Sequence, residues 1–155
     1  MREKTPFTII RATLEHVDEI EGLLYPHYFE ESGYNHLDYD SDNCKRCISE
    51  WVTSGVGIMI KSRGKLVAFA AMGFIRTFYK QIEADVDMFF VLPEYRGTGI
   101  ARVLSKVLSD FANEAQAAVV YTSCLSELGG KNNQMYVNLW KKLGFRVLGT
   151  VMIRS

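Results

Sequence analysis

The stretch Val91-Leu-Pro-Glu-Tyr-Arg-Gly-Thr-Gly-Ile-Ala101 has the make-up of an anion cradle. A strand-like run feeds a glycine-rich turn, and the apolar residues beyond it recur at helical spacing, so a helix opens directly after the turn. The N–H groups of such a turn and of the first helical residues have no partner within the helix, and the positive end of the helix dipole lies among them. Together they suit a pyrophosphate. Gly97 and Gly99 let a ligand approach the backbone, because any Cβ there would shield those donors. Just upstream, Glu83, Asp85 and Asp87 alternate with Ile82, Ala84, Val86 and Met88. That places the acids on one face of a strand and the apolar residues on the other. Carboxylates so placed can attract a cation or take its proton.

Two common phosphate motifs fail here. A P-loop needs Gly-Lys-Ser/Thr, which the turn lacks. The dinucleotide fingerprint breaks at its third glycine, where Arg102 stands, and the turn follows a hairpin in mid-chain instead of opening a βαβ unit. Cys44-x-x-Cys47 has no second Cys/His pair at metal spacing, and both sulfurs fall on the apolar stripe of a helix, so they read as buried small apolar residues. His16, His27 and His36 are isolated, and read as surface or loop residues. Phe89-Phe90 reads as packing.

The elements that must position these residues follow from periodicity. Phe7 to Ala12 is a first strand, and Thr13 can cap a helix on which Val17, Ile20, Leu23 and Leu24 share a face. Tyr25 to Asn43 loses periodicity; it holds Glu30, Glu31, Asp38, Asp40 and Asp42 with no Lys or Arg, as a loop or pair of short helices lining something would. From Cys44, apolar positions 44, 47, 48, 51 and 52 predict a second helix. Val56 to Ile60 and Leu66 to Phe74 flank a turn at Arg63-Gly64, which predicts a hairpin. After the Ile82 to Val91 strand come a long helix (Ile100 to Phe111), a strand (Ala117 to Thr122), and a helix from Asn132 or Asn133 that Gly144 stops. Phe145 to Ile153 is a last strand. The order predicts an α/β (α+β) protein whose sheet starts antiparallel.

The 155 residues suit a single domain over 1–155, and 48% hydrophobic against 23% charged residues excludes disordered and disulfide-dense classes. Lys plus Arg and Asp plus Glu are 18 each, so nothing supports a nucleic-acid partner. No apolar run approaches a membrane span, and the N-terminus has no hydrophobic leader, so no membrane or export is expected. Three cysteines (Cys44, Cys47, Cys124) leave one unpaired in any disulfide scheme, which fits a reducing, cytoplasmic setting.

Arg96-x-x-Gly99-x-Ala101, with the Val-x-Pro-Glu-Tyr before it, resembles the Arg/Gln-x-x-Gly-x-Gly/Ala signature of the GNAT superfamily of N-acetyltransferases. Asn133-x-x-Tyr136-x-x-x-Trp140-x-x-x-Gly144-Phe145 is similar to that family's Asn-x-x-Ala-x-x-x-Tyr-x-x-x-Gly-Phe, and the element order agrees over nearly the whole chain. The resemblance implies a GNAT-like acyl-CoA N-acyltransferase fold, a mixed sheet of about six strands splayed at the fourth and flanked by about four helices. It implies acetyl-CoA as co-substrate and no metal. Phe89, Phe90 and Val91 would pair with the pantetheine through their backbones, and an N–H near Phe90 or Val91 would polarise the thioester carbonyl. Arg96, Gly97, Thr98, Gly99, Ile100, Ala101 and Arg102 would hold the pyrophosphate, and Asn133 would touch the pantetheine arm.

In some branches of the superfamily a Glu or His on the fourth strand takes the amine's proton, and the matching positions here are Asp85 and Asp87. The alternative is that these acids form a solvated face or attract a cation without taking its proton. Trp140 stands on the cofactor side where the family has the tyrosine that protonates the departing CoA thiolate; Tyr136, one turn earlier, either substitutes for it or fills the core. The expected reaction is acetyl or acyl transfer from acetyl-CoA to a primary amine, on a cationic small molecule, a lysine or an N-terminus, by direct attack in a ternary complex. The alternative is a non-catalytic acyl-CoA-binding regulatory domain of the same fold. The acidic 25–43 segment, on the family's acceptor side, favours a cationic amine. Finally, one short strand after Gly144 would leave an apolar edge at Val147, Leu148, Val151 and Ile153, to be closed against the fifth strand or covered by a second copy; a homodimer is expected.

Overall fold

The computed structural model of the chain describes residues 6–31, 37–122 and 130–147. They form one five-stranded sheet in the order β1-β2-β3-β4-β5. Strands β1 (Phe7–Arg11), β2 (Val56–Ser62), β3 (Lys65–Ile75) and β4 (Ile82–Val91) are antiparallel neighbours, and β5 (Ala117–Thr122) lies parallel to β4. The helices are α1 (Val17–Leu23), the single turn α2 (Phe29–Glu31), α3 (Ser41–Ser54), α4 (Ile100–Glu114) and α5 (Gly130–Lys141).

The β2–β3 hairpin turns on Arg63 (φ 50°) and Gly64 (φ 80°), the pair of left-handed residues that a two-residue turn between twisted strands needs. Every residue of β3 from Val67 to Met72 is fully buried. Consecutive strand residues face opposite sides, so both faces of the sheet are covered, which the long apolar run of β3 requires. Helices α1 and α3 pack on each other and on β3, with Ile20 and Ile48 inaccessible to solvent, while α4 lies along β2, β3 and β5.

Helix α3 starts at Ser41, ahead of the apolar stripe, because Asp40 caps it: its carboxylate accepts the Asn43 N–H at 3.0 Å. Asp40→Ala should lower stability by about 1 kcal/mol, read as a lower urea midpoint with an unchanged slope. Cys44 and Cys47 lie on this helix as half-buried free thiols, and burial pushes the Cys44 thiol up. His16 has a local task, its Nδ1 accepting the Thr13 N–H at 3.1 Å at the start of the first helical turn.

Helix α5 opens at Gly130, before the asparagines chosen from sequence. Gly144 (φ 92°) ends it as expected, with the Phe145 N–H returning to the Trp140 carbonyl at 3.1 Å. Residues 145–147 are not strand, and the rest of the expected sixth strand lies outside the described residues, as does most of the edge on which a homodimer was expected.

Candidate active site

The site grows from a flaw in the sheet. The β4–β5 pairing ends at Val86–Thr122, and among the described residues Asp87–Val91 has a strand on one side only, β3. A bulge sits at this point: Ala71 pairs with Met88 and Met72 with Val86, leaving Asp87 as an extra residue on β4. A bulge bends its strand and steepens the twist, which parts β4 from its parallel neighbour. Helix α5 spans the gap. The Tyr136 hydroxyl meets Thr122 Oγ1 at 2.5 Å at the vertex, and the Tyr136 and Trp140 rings stand edge-on to Phe89 at 5.3 and 5.9 Å.

The space so opened is a cavity of about 1150 Å³ that runs from Asp87 along the free edge of β4 to the glycine turn. Met135, Tyr136 and Lys142 wall one side, and Tyr28 and Glu31, from the acidic segment, the other. The turn is preformed. Thr98 Oγ1 donates to the Tyr95 carbonyl at 2.6 Å, Gly97 and Gly99 sit at φ 80° and 94°, and among the described residues no side chain caps α4. A Cβ added at either glycine would meet nothing within 4 Å, so the space above both is open. Arg96 is committed elsewhere: Nε donates to the Val91 carbonyl at 3.0 Å, Nη2 to Glu31 at 2.5 Å, and the guanidinium lies 5.7 Å from the Phe90 ring centre. This ion pair ties the turn to α2, whose Tyr28 neighbour also packs edge-on against Phe90 at 5.9 Å.

The three acids of β4 have three different fates, and the bulge ends the expected alternation at Asp87. Glu83 is buried (6% exposed) and accepts a hydrogen bond from the Thr77 hydroxyl at 2.6 Å. Asp85 is half-buried and does not line the cavity. Asp87 does line it, and its carboxylate accepts the Gly73 N–H. A Cβ at Gly73 would stand 2.9 Å from Asp87 Oδ2, so a side chain there would displace that carboxylate. Burial raises the pKa of Asp85. Burial and then the Asp85 charge raise that of Asp87, against the pull of the Gly73 N–H.

Phe89, Phe90, Val91, Arg96, Gly97, Thr98, Gly99, Ala101, Arg102 and Tyr136 all line this one cavity. Ile100 and Trp140 do not; they are 3% and 2% exposed and point into packing, and among the described residues the Trp140 indole N–H has no hydrogen-bond partner. Asn133 belongs to α5, and its side chain lies outside the described residues. Sequence reading missed Gly73, Lys142 and the Arg96–Glu31 pair as site features. Only Gly73 left a signal, as a glycine within an apolar strand.

A mixed sheet parted at β4 above a glycine turn is an acyltransferase arrangement, and the chain belongs to the acetyltransferase (GNAT) family, whose model matches residues 16–145. No curated protein sequence matches it. Solved structures similar to it include a predicted acetyltransferase with acetyl-CoA from Clostridium acetobutylicum, at 16% identity over 97% of this chain and 96% of that one (TM-score 0.74). Another is a ribosomal-protein-alanine N-acetyltransferase from Brucella melitensis biovar Abortus 2308, at 18% identity over 96% and 99% (TM-score 0.70). A third is an aminoglycoside acetyltransferase from an uncultured soil metagenomic sample in complex with sisomicin, at 14% over 96% and 94% (TM-score 0.70). Likeness at these identities shows the fold. Among the described residues no helix is long and apolar enough to cross a membrane, and no group of side chains suits a metal ion.

Proposed function

We propose that the chain transfers an acetyl or acyl group from acetyl-CoA to a cationic primary amine by direct attack in a ternary complex. The observation that carries this reading is the single cavity with an uncapped helix N-terminus at one end and a carboxylate at the other. The residues present fit the co-substrate. The N–H groups of Gly97 to Arg102 would hold its pyrophosphate, and the unpaired edge of β4 from Asp87 to Val91 would take its amide arm as an added strand. Acetyl-CoA supplies an acetyl group already activated as a thioester.

The chain supplies the rest. A β4 N–H near Phe90 or Val91, facing the cavity, would stabilise negative charge on the carbonyl oxygen. A lysine-like amine has a pKa near 10.4 and arrives protonated. Asp87 holds that ammonium and takes its proton, directly or through one water. Asp85 serves by its charge, which makes Asp87 more basic. Tyr136, whose hydroxyl meets Thr122 at the vertex, would return a proton to the departing sulfur. Trp140 cannot, since an indole N–H donates a hydrogen bond but not its proton. A thiol of pKa about 8.5 is a fair leaving group without help.

Trp140 also favours a second reading, an acyl-CoA-binding domain without turnover. Incubation with acetyl-CoA and a panel of amines (a polyamine, a lysine peptide, an amino sugar, glutamate), followed by free thiol, separates the two. Thiol release with the cationic amines, at a KM that rises with salt, is the expected result. Thermal stabilisation by CoA with no thiol released by any amine would leave only the binding reading.

A further inference from the structure

The face of the sheet that carries the Asp87 carboxylate changes character along its length. On β3, Phe69, Ala71, Gly73 and Ile75 share this face, because the extra residue of the bulge belongs to β4. Phe69 is fully buried with its ring 6.2 Å from that of Trp51 on α3, and its partner Phe90 meets Tyr28. At Gly73 the Asp87 carboxylate takes the place that a side chain would fill. Beyond it the cover ends. Ile75 is 45% exposed, and Val119 and Tyr121 of β5, in register with Glu83 and Asp85, are nearly as open. The connection after Ile75 carries Phe78, which is 97% exposed, and Tyr79. Arg76 and Lys80 flank these two rings, are exposed, and make no ion pair among the described residues. An apolar surface thus runs from the carboxylate end of the cavity to the end of the sheet, with cations at its far side.

We propose that this surface seats the acceptor, a polypeptide whose N-terminal amine reaches Asp87 and whose first residues are apolar. The inference rests on the acyl-transfer reading above and names its acceptor. Small-molecule sites are concave and enclose most of the ligand, whereas Ile75, Val119 and Tyr121 form an open sheet face outside the cavity. That face is free in one direction only. Toward Phe69 and Phe90 it is closed by Trp51 and Tyr28, and from Gly73 to Ile75, a step of about 7 Å along β3, it is open. An internal lysine brings chain on both sides of its amine, while a chain that begins at its amine leaves in a single direction. Two extended residues span the step from Gly73 to Ile75, so the first side chains fall against Ile75, Val119 and Tyr121. Arg76 and Lys80 then favour acidic residues farther along.

Thiol release from acetyl-CoA with a set of acceptors tests it. The set holds a peptide with a free N-terminus reading Met-Leu-Phe-Glu-Glu and its Ser-Gly-Ser-Glu-Glu and Met-Leu-Phe-Lys-Lys counterparts. An N-terminally blocked lysine peptide and a polyamine complete it. The first peptide should show the highest kcat/KM, at least about tenfold above the Ser-Gly-Ser peptide, as burial of one apolar side chain implies, with the difference in KM. In the double variant Ile75→Ser/Tyr121→Ser that advantage should disappear, while CoA still stabilises the variant against heat and so shows it folded. Arg76→Ser/Lys80→Ser should erase the preference for the Glu-Glu over the Lys-Lys peptide. Equal wild-type kcat/KM for the apolar and Ser-Gly-Ser peptides, or a higher value for the blocked lysine peptide or the polyamine, would overturn the surface and leave the transfer reading standing. An advantage that survives in the folded Ile75→Ser/Tyr121→Ser variant would do the same. No thiol release with any acceptor, from a protein that CoA still stabilises, would overturn both.

Discussion

Asp87→Asn should lower kcat by about 10²- to 10⁴-fold, the usual worth of a positioned general base, while CoA still stabilises the variant as it does the wild type. The wild-type rate should rise with pH through an acidic limb above the ordinary carboxylate range, because burial raises both acids and the Asp85 charge raises Asp87 further. That limb belongs to the Asp85–Asp87 pair as a unit. Asp85→Asn should shift it to lower pH and keep most of kcat, since it removes one cause of the raised Asp87 pKa. Stability has its own sign. A carboxyl whose pKa is raised by folding favours the native state below its unfolded value near 3.9, and that contribution is lost as pH rises through the folded value. Asp87→Asn should therefore melt at or above the wild-type temperature at neutral pH, with the gap closing in acid. A double variant lacking both carboxylates yet keeping the parental pH–rate profile would show that they are bystanders.

Gly99→Val should abolish stabilisation by CoA. At a ligand concentration of a hundred times Kd the wild type gains about 2.7 kcal/mol, which thermal unfolding resolves easily. Two effects combine. Gly99 sits at φ 94°, a conformation that a β-branched residue adopts only under strain, and its missing Cβ faces open cavity where the new side chain would cover the N–H groups of α4. The substitution removes nothing from the core face of α4, where Leu104 and Leu108 are fully buried, so the protein should stay folded with a lower melting temperature. An undiminished response to CoA would remove the turn from the phosphate site.

What the sequence made legible was whatever is written in neighbouring residues. The glycine turn, the hairpin at Arg63-Gly64 and the amphipathic α4 each follow from a few adjacent positions, and each stands where periodicity put it. The bulge at Asp87 does not. It depends on the register of β3 against β4, which no single segment encodes, and it breaks the strict alternation at Asp87, which lines the cavity where Asp85 does not. The Arg96–Glu31 pair is long-range in the same sense, and the acidity of the 25–43 segment could suggest a cationic partner but not that one belongs to the chain itself. Trp140 shows the converse. Its place in the motif was plain, but its withdrawal into packing against Phe89, Tyr136 and Phe145 comes from aromatic contacts between elements.

The interrupted β4–β5 ladder also bears on which chains can pair with this sheet. Unpaired strand edges recruit strands from other molecules and seed aggregates, and most sheets confine that hazard to a rim guarded by charge or proline. Among the described residues the unpaired stretch is internal: β3 holds one side of Asp87–Val91, and the aromatic wall of α5 stands across the other, pinned at the vertex by Tyr136 and Thr122. A polypeptide strand carries side chains on both faces and would have to force that wall aside to pair. A slender chain of amides and methylenes need not. On the proposed function, the gap would then act as a size filter on β-pairing, open to a bare amide arm and closed to misfolded neighbours.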